Sequence, residues 1–264
     1  MSVISPLMTV MIAAARKAGK AITRDFGEVE NLQLAKKGPS DFVTAADLKA
    51  EKILFEELTK ARPGYGFLGE ERGLEAGTDK TNRWIVDPID GTTNFIHAIP
   101  HFAISIALER EGRLVAGVVF NPITDDLYWA ETGKGAFWND KRLRVAGRKV
   151  LGECVLATGI PFQGKPGHTR MFKELHQFTQ HVAGIRRFGS AALDLAFVAA
   201  GRFDGFWEHD LKLWDIAAGV VLVREAGGVC VEISGGDFME TGAVLAGNDK
   251  VVPMMQARLG EAAK

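Results

Sequence analysis

The residue pattern predicts a layered α/β sandwich, and three features of its order carry that expectation. Two helical runs, parted by a polar loop, occupy the chain from about Pro6 to Arg62. From Tyr65 to Glu131 the texture changes to short apolar runs separated by turn residues, a hairpin pattern follows, and beyond about Cys154 helices and strands alternate. Amphipathic elements in that order bury themselves by stacking helices on the faces of sheets.

Taken in order, Ser5-Pro6 pairs a helix N-cap with proline at the first helical position. Leu7, Met11, Ala14, Ala15, Ala18 and Ile22 continue at helical spacing, and Gly27 ends the run. Lys36, Lys37, Gly38 and Pro39 read as a polar loop. Thr44 then stands as an N-cap, with Asp47 three positions later as its box-like partner, opening a second helix to about Arg62. Strand-like runs end at Gly69, Asp87, Glu109 and Asn121, with a further one over Asp126–Ala130. Gly133–Val145 reads as a hairpin turning at Asn139-Asp140. Helices follow over Arg170–Val182, Ser190–Ala200 and Trp214–Ala226. Strands are expected near Arg186–Phe188, Gly205–Glu208, Val229–Ile233 and Val244–Gly247, and a final helix near Lys250. A soft boundary near residues 145–155 divides the chain into halves, 1–150 and 151–264, of one compact unit. Neither repeats nor low-complexity stretches interrupt it.

Across 264 residues the net charge is −1, with 47% hydrophobic and 25% charged content, as in an ordinary globular enzyme. That balance supplies no general basic field, so nucleic acid is not expected as a partner. An anionic substrate would have to be met locally, by a metal ion, a helix N-terminus or a few Lys and Arg. Cys154 and Cys230 form no CxxC pair and read as small buried residues in a reducing compartment. No apolar run approaches the roughly 20 residues that span a membrane. The apolar stretch Met8–Ala15 is followed, not preceded, by Arg16, Lys17 and Lys20, the wrong polarity for a secretory signal. The cytoplasm is therefore the expected location.

The segment Trp84-Ile85-Val86-Asp87-Pro88-Ile89-Asp90-Gly91-Thr92-Thr93-Asn94-Phe95 concentrates the chemistry. An apolar strand delivers Asp87, Pro88 stops the ladder, and Asp90 follows before a Gly-Thr-Thr turn. Two carboxylates at that spacing can converge on one point, and Mg²⁺ prefers carboxylates completed by water and phosphate. A helical turn beginning after Asp90 would aim the N–H groups of Gly91 and Thr92 at a phosphate. Alone, Asp87 and Asp90 read first as turn formers. Further acids in comparable places weigh against that: Glu70 and Glu71 close the preceding strand, and Asp215 opens an apolar helix. Together these acids can build a two-metal site.

These stretches resemble the inositol monophosphatase family. Gly69-Glu70-Glu71, Asp87–Phe95 and Trp214-Asp215-Ile216-Ala217-Ala218-Gly219 are similar to its three signatures, in its order. Ser40-Asp41-Phe42-Val43-Thr44 through Asp47, Gly117–Pro122, Gly189-Ser190-Ala191-Ala192 and Glu225-Ala226-Gly227-Gly228 extend the likeness over nearly the whole chain. The resemblance implies a five-layered αβαβα sandwich, the sugar-phosphatase fold, as a homodimer inhibited by Li⁺. It implies two to three Mg²⁺ ions per site. Glu70, Asp87 and the carbonyl of Ile89 would hold one ion, and Asp87, Asp90 and Asp215 a second, with Glu70 also near a weaker third. Thr92 and Asp47 would orient and deprotonate a metal-activated water, with Glu70 counted in the same catalytic group. Asp90, Gly91, Thr92, Ser190, Ala191 and Glu208 would line the substrate, Glu208 receiving a hydroxyl, while Lys36 would lie near the metal loop.

The implied reaction is hydrolysis of a small phosphomonoester, foremost inositol 1-phosphate. Fructose 1,6-bisphosphate, histidinol phosphate and 3′-phosphoadenosine nucleotides are the alternatives within the family. Thr93-Asn94-Phe95 favours the inositol branch. A protein partner in RNA metabolism, engaged without catalysis, is the reading from another class, with Lys141, Arg142, Arg144, Arg148 and Lys149 as its one hint against a solvated hairpin face. His97 and His101 are assigned to packing or hydrogen bonding, not to metal, and Phe203, Phe206 and Trp207 to core or dimer packing.

Overall fold

The structure is a computed structural model that describes residues 4–26, 34–38 and 41–263, with backbone alone for 34–38 and 41–43. Helix α1 (Pro6–Phe26) starts where the sequence places it, with the Met8 N–H donating to the Ser5 hydroxyl at 3.1 Å. The expected stop at Gly27 and the side chain of Lys36 lie outside the described residues. The expected polar loop is instead a hairpin, β1 (Leu34–Gly38) against β2 (Asp41–Thr44). Its backbone bonds come from the neighbouring strand, which composition does not reveal. Helix α2 (Ala45–Ala61) opens with the capping box Thr44/Asp47.

Strands β3 (Tyr65–Gly69), β4 (Gly73–Glu75), β5 (Asp79–Asp90), β6 (Ala103–Arg110), β7 (Arg113–Asn121), β8 (Asp126–Glu131), β9 (Gly135–Trp138) and β10 (Lys141–Arg142) form one sheet. Its order is β10-β9-β8-β7-β6-β5-β3-β4. Between β5 and β6 lies the short helix α3 (Thr92–Ile96). The second sheet has the order β12-β11-β13-β15-β14. Its strands are β11 (Val155–Thr158), β12 (Gly184–Arg186), β13 (Gly205–Glu208), β14 (Val229–Glu232) and β15 (Val244–Gly247). Interleaved are α4 (His168–Thr179), α5 (Ala191–Ala199), α6 (Leu213–Glu225), α7 (Phe238–Thr241) and α8 (Val251–Ala262). Strand β12 begins two residues before the expected Arg186–Phe188, because its partner β11 sets its register from Val155↔Gly184.

The period-2 alternation of the strands sorts side chains into three cores. Trp84 and Val86 of β5 face α1 and α2, packing with Met8, Met11, Leu54 and Leu58. Ile85 faces the opposite way, onto α5 and α6, which also take Phe206 and Ala246 from the second sheet. Trp207 and Leu245 point to the far side of that sheet, against Phe178 of α4 and Met255 of α8. The result is the expected αβαβα sandwich. The middle helices explain their own composition: α6 buries every residue from Ile216 to Val223, as a helix trapped between two sheets must. Phe203, Phe206 and Trp207 are core residues, and both cysteines are unpaired and buried. No helix among the described residues is long and apolar enough to cross a membrane.

Candidate active site

The acids sit at the carboxyl ends of parallel strands, where α/β sheets hold their ligands. Strands β3 and β5 run parallel with Gly69 opposite Val86, so Glu70 and Asp87 leave the sheet side by side. The β5–β6 pairing breaks register between Asp87 and Asp90. Pro88, which has no N–H to donate, lies inside that break, and the irregularity brings both carboxyls to one side. The Ser105 hydroxyl, opposite Asp87, donates to the Trp214 carbonyl at 3.1 Å and so docks the start of α6, with Asp215, against the pair. Gly91 turns the chain at φ 100°, with Gly189 O only 3.1 Å from where a Cβ would stand. A side chain there would be both strained and crowded.

One oxygen of each acid is anchored by the protein. Asp87 Oδ1 accepts from the Ile89 N–H at 2.9 Å. Asp90 Oδ2 accepts from the Ser190 hydroxyl at 2.5 Å and the Ala192 N–H at 2.7 Å. Asp215 Oδ2 accepts from the Lys212 N–H at 2.7 Å. Asp47 Oδ2 takes the Thr44 N–H at 2.8 Å, while its Oδ1 faces the Thr92 hydroxyl at 3.3 Å. That hydroxyl also reaches the Ile89 carbonyl at 3.1 Å, so its single proton serves two acceptors. The Ala191 N–H adds a further bond to the Asp90 carboxyl. Among the described residues, no three His, Cys, Asp or Glu side chains are arranged to hold an ion by themselves.

Electrostatics state what the cluster lacks. Burial first, then Glu70, Asp90 and Asp215, pushes the Asp87 carboxyl far above its ordinary range. Burial, then Asp90, does the same to Asp215. Burial raises Asp90 to about 6 and Asp47 to about 7, each against the pull of its hydrogen bonds. Burial followed by Asp90 takes Glu208 to about 8. Desolvated like charges resist ionisation. An all-oxygen donor set under that stress fits a hard divalent cation, which would remove the repulsion.

These residues line one cleft of about 240 Å³, which also takes in Gly91, Ser190, Ala191 and Glu208. Every expected site residue except Asp47 lines it, and Asp47 is buried behind Thr92. Gly159, just beyond β11, gives Glu208 its room: a Cβ there would stand 1.8 Å from Glu208 Oε1. His101 packs edge-on against Phe188 and Phe197, and His97 is exposed.

Sequence reasoning missed several lining residues. Asn94 donates to the carbonyls of His101, at 2.7 Å, and Phe188, at 2.8 Å, clamping α3 to the loop before Ser190. Arg187 and Asp194 also line the cleft. A signal for Asp194 was present, since it is the one charged residue in the otherwise apolar helix sequence AALDLAFVA.

Two sheets alternating with three helix layers, and a buried oxygen-rich acid cluster at their strand ends, define an enzyme of the phosphatase class. The family model for the inositol monophosphatase family matches residues 4–263, and the chain belongs to that family. It is 62% identical over 253 residues to an inositol-1-monophosphatase of Caulobacter vibrioides, covering 94% of this chain and 99% of that one. It is 44% identical over 255 residues to the Nus factor SuhB of Salmonella typhimurium, covering 96% of each. Among solved structures, the extragenic suppressor protein suhB of Bartonella henselae superposes with a TM-score of 0.94 at 55% identity, covering 97% of this chain and 98% of that chain.

Proposed function

We propose that the protein hydrolyses a small phosphomonoester, foremost inositol 1-phosphate, with Mg²⁺ as its cofactor. The observation that carries this reading is the acid set of buried Asp87 and Asp90 with half-buried Glu70 and Asp215, lining one cleft with Thr92, behind which Asp47 is buried. Glu70, Asp87 and the Ile89 carbonyl would hold one ion, and Asp87, Asp90 and Asp215 a second, with Glu70 also beside a third. Water and the substrate phosphate would complete the shells. Bound Mg²⁺ neutralises phosphate charge and brings a water's pKa toward neutrality.

The chain's own groups do the positioning that phosphoryl transfer mostly requires. Thr92 accepts a hydrogen bond from the attacking water while its own proton points to Asp47 Oδ1. A carboxyl poised near 7 is a suitable acceptor for the proton released. Gly91 and Thr92 present backbone N–H groups where no side chain caps α3. Ser190 and Ala191 form the wall beside Asp90, and Glu208 accepts a hydroxyl of the alcohol.

The family reading carries with it a homodimer and inhibition by Li⁺, and unpaired buried cysteines suit a cytoplasmic site of action. The relative named Nus factor SuhB favours a second, additional role with a protein partner in RNA metabolism. Lys141, Arg142, Arg144, Arg148 and Lys149, on and just after the hairpin, are exposed and would serve it.

Phosphate release from inositol 1-phosphate, fructose 1,6-bisphosphate, histidinol phosphate and 3′-phosphoadenosine 5′-phosphate, with Mg²⁺ and with EDTA, tests the proposal. Mg²⁺-dependent turnover led by inositol 1-phosphate is expected. Another leading substrate moves the specificity, and folded protein with no turnover on any of them overturns the reading.

A further inference from the structure

Glu208 provides one acceptor for the alcohol half of the substrate, and the cleft contains a second that the reaction above does not use. Asp194 is 1% exposed, lines the cleft, and keeps Oδ1 buried without a hydrogen-bond partner. An unpartnered buried carboxylate oxygen costs stability, so packing gives no reason for it. Its place in the first turn of α5 suggests a partner for the helix dipole. That end of α5 is already served, however. Ser190 Oγ accepts from the Leu193 N–H and Asp90 Oδ2 from the Ala192 N–H.

Its surroundings indicate what it waits for. After burial, Glu208 is the strongest charge influence on Asp194, followed by Asp90, and Arg187 opposes the charge of both Asp194 and Glu208. Gly189 leaves space for that guanidinium, whose Nη1 stands 2.8 Å from where a Cβ would be. Arg187 offsets part of the charge of the two acids. An unpartnered carboxylate oxygen takes a hydrogen-bond donor, and on the phosphatase reading the donors that reach it are the hydroxyls of the alcohol. We propose that Asp194 is a specificity-determining residue. With Glu208 it accepts hydrogen bonds from two neighbouring hydroxyls of the alcohol, so the site selects a phosphate ester of a vicinal polyol. This inference rests on the phosphatase reading.

The test compares Asp194→Ala and Asp194→Asn with wild type on inositol 1-phosphate and on 4-nitrophenyl phosphate, which carries no vicinal hydroxyls. Losing a hydrogen bond to a charged group should lower the ratio of the two kcat/KM values roughly 10- to 100-fold in D194A, mainly through KM. D194N, which keeps one acceptor oxygen, should recover part of the ratio. The melting midpoint should hold or rise, since an unpartnered buried acid has been removed. A fallen midpoint with both esters losing equally would make Asp194 a structural helix-end residue and overturn the proposal. An unchanged ratio would overturn it too, as would wild type preferring histidinol phosphate, because the acids would then be reading a cation. Wild type inactive on both esters would overturn the phosphatase reading and this one with it. Wild type active on both, with D194A unchanged in ratio, would overturn this one alone.

Discussion

Replacing Asp90 by Asn removes one charge from the cleft while nearly preserving its shape. Oδ2 of Asp90 accepts from the Ser190 hydroxyl and the Ala192 N–H, and an amide oxygen in the same place accepts both. Burial holds this carboxyl near 6, against 3.8 when exposed. For an acid raised by folding, the native chain binds its proton more tightly than the unfolded chain. Stability is therefore lost as pH rises through that window, and fully lost above it. The loss amounts to about 3 kcal/mol at pH 8 and about half that at pH 5. In protein stripped of metal by EDTA, Asp90→Asn should gain up to about 3 kcal/mol at pH 8, a rise of several degrees in midpoint, and clearly less at pH 5. Phosphate release with Mg²⁺ should fall at least ~100-fold, and Mg²⁺ should raise the wild-type midpoint more than the variant's. Thermal melts at the two pH values, alongside steady-state kinetics, read all of this. A variant less stable than wild type at pH 8, or one with undiminished turnover, would refute the reasoning.

Thr92→Ala removes the hydroxyl between the water and Asp47 and should cut kcat by about 10²- to 10⁴-fold with little change in KM. Thr92→Ser should retain much of the rate, and steady-state kinetics on both variants decide the matter. Gly117→Ala tests the packing that seats Asp215. The added Cβ would stand 2.6 Å from the Ala218 carbonyl oxygen on α6, which is backbone and cannot swing aside. Overpacking of this kind should cost about 1–3 kcal/mol, measured by urea unfolding. An unchanged midpoint would mean that α6 does not press on β7 as closely as described.

The elements read from the sequence were those whose signals are local. Ser5 and the Thr44/Asp47 box start helices through bonds three residues away, and the alternation in Trp84-Ile85-Val86 needs only the pleat. The short strand β11, Val155–Thr158, left no such trace. Its four residues take their register from Gly184 and Gly205, far along the chain. The hairpin β1–β2 pairs locally, Leu34 with Thr44, but its run of Lys36, Lys37 and Gly38 lacks the apolar alternation that marks a strand, and so reads as a loop.

By itself the sequence determined the layer type, the family and the identity of the acids, because Asp87 and Asp90 lie on one strand and Glu70 and Asp215 in recognisable turns. Tertiary structure alone decided which oxygens of those acids the protein anchors, and that Asp194, Arg187 and Glu208 line the same cleft. Local periodicity cannot report an encounter between α5 and β13, since those contacts exist only once two sheets have closed around the helices between them. What an acid can do there depends on the water excluded when that happens.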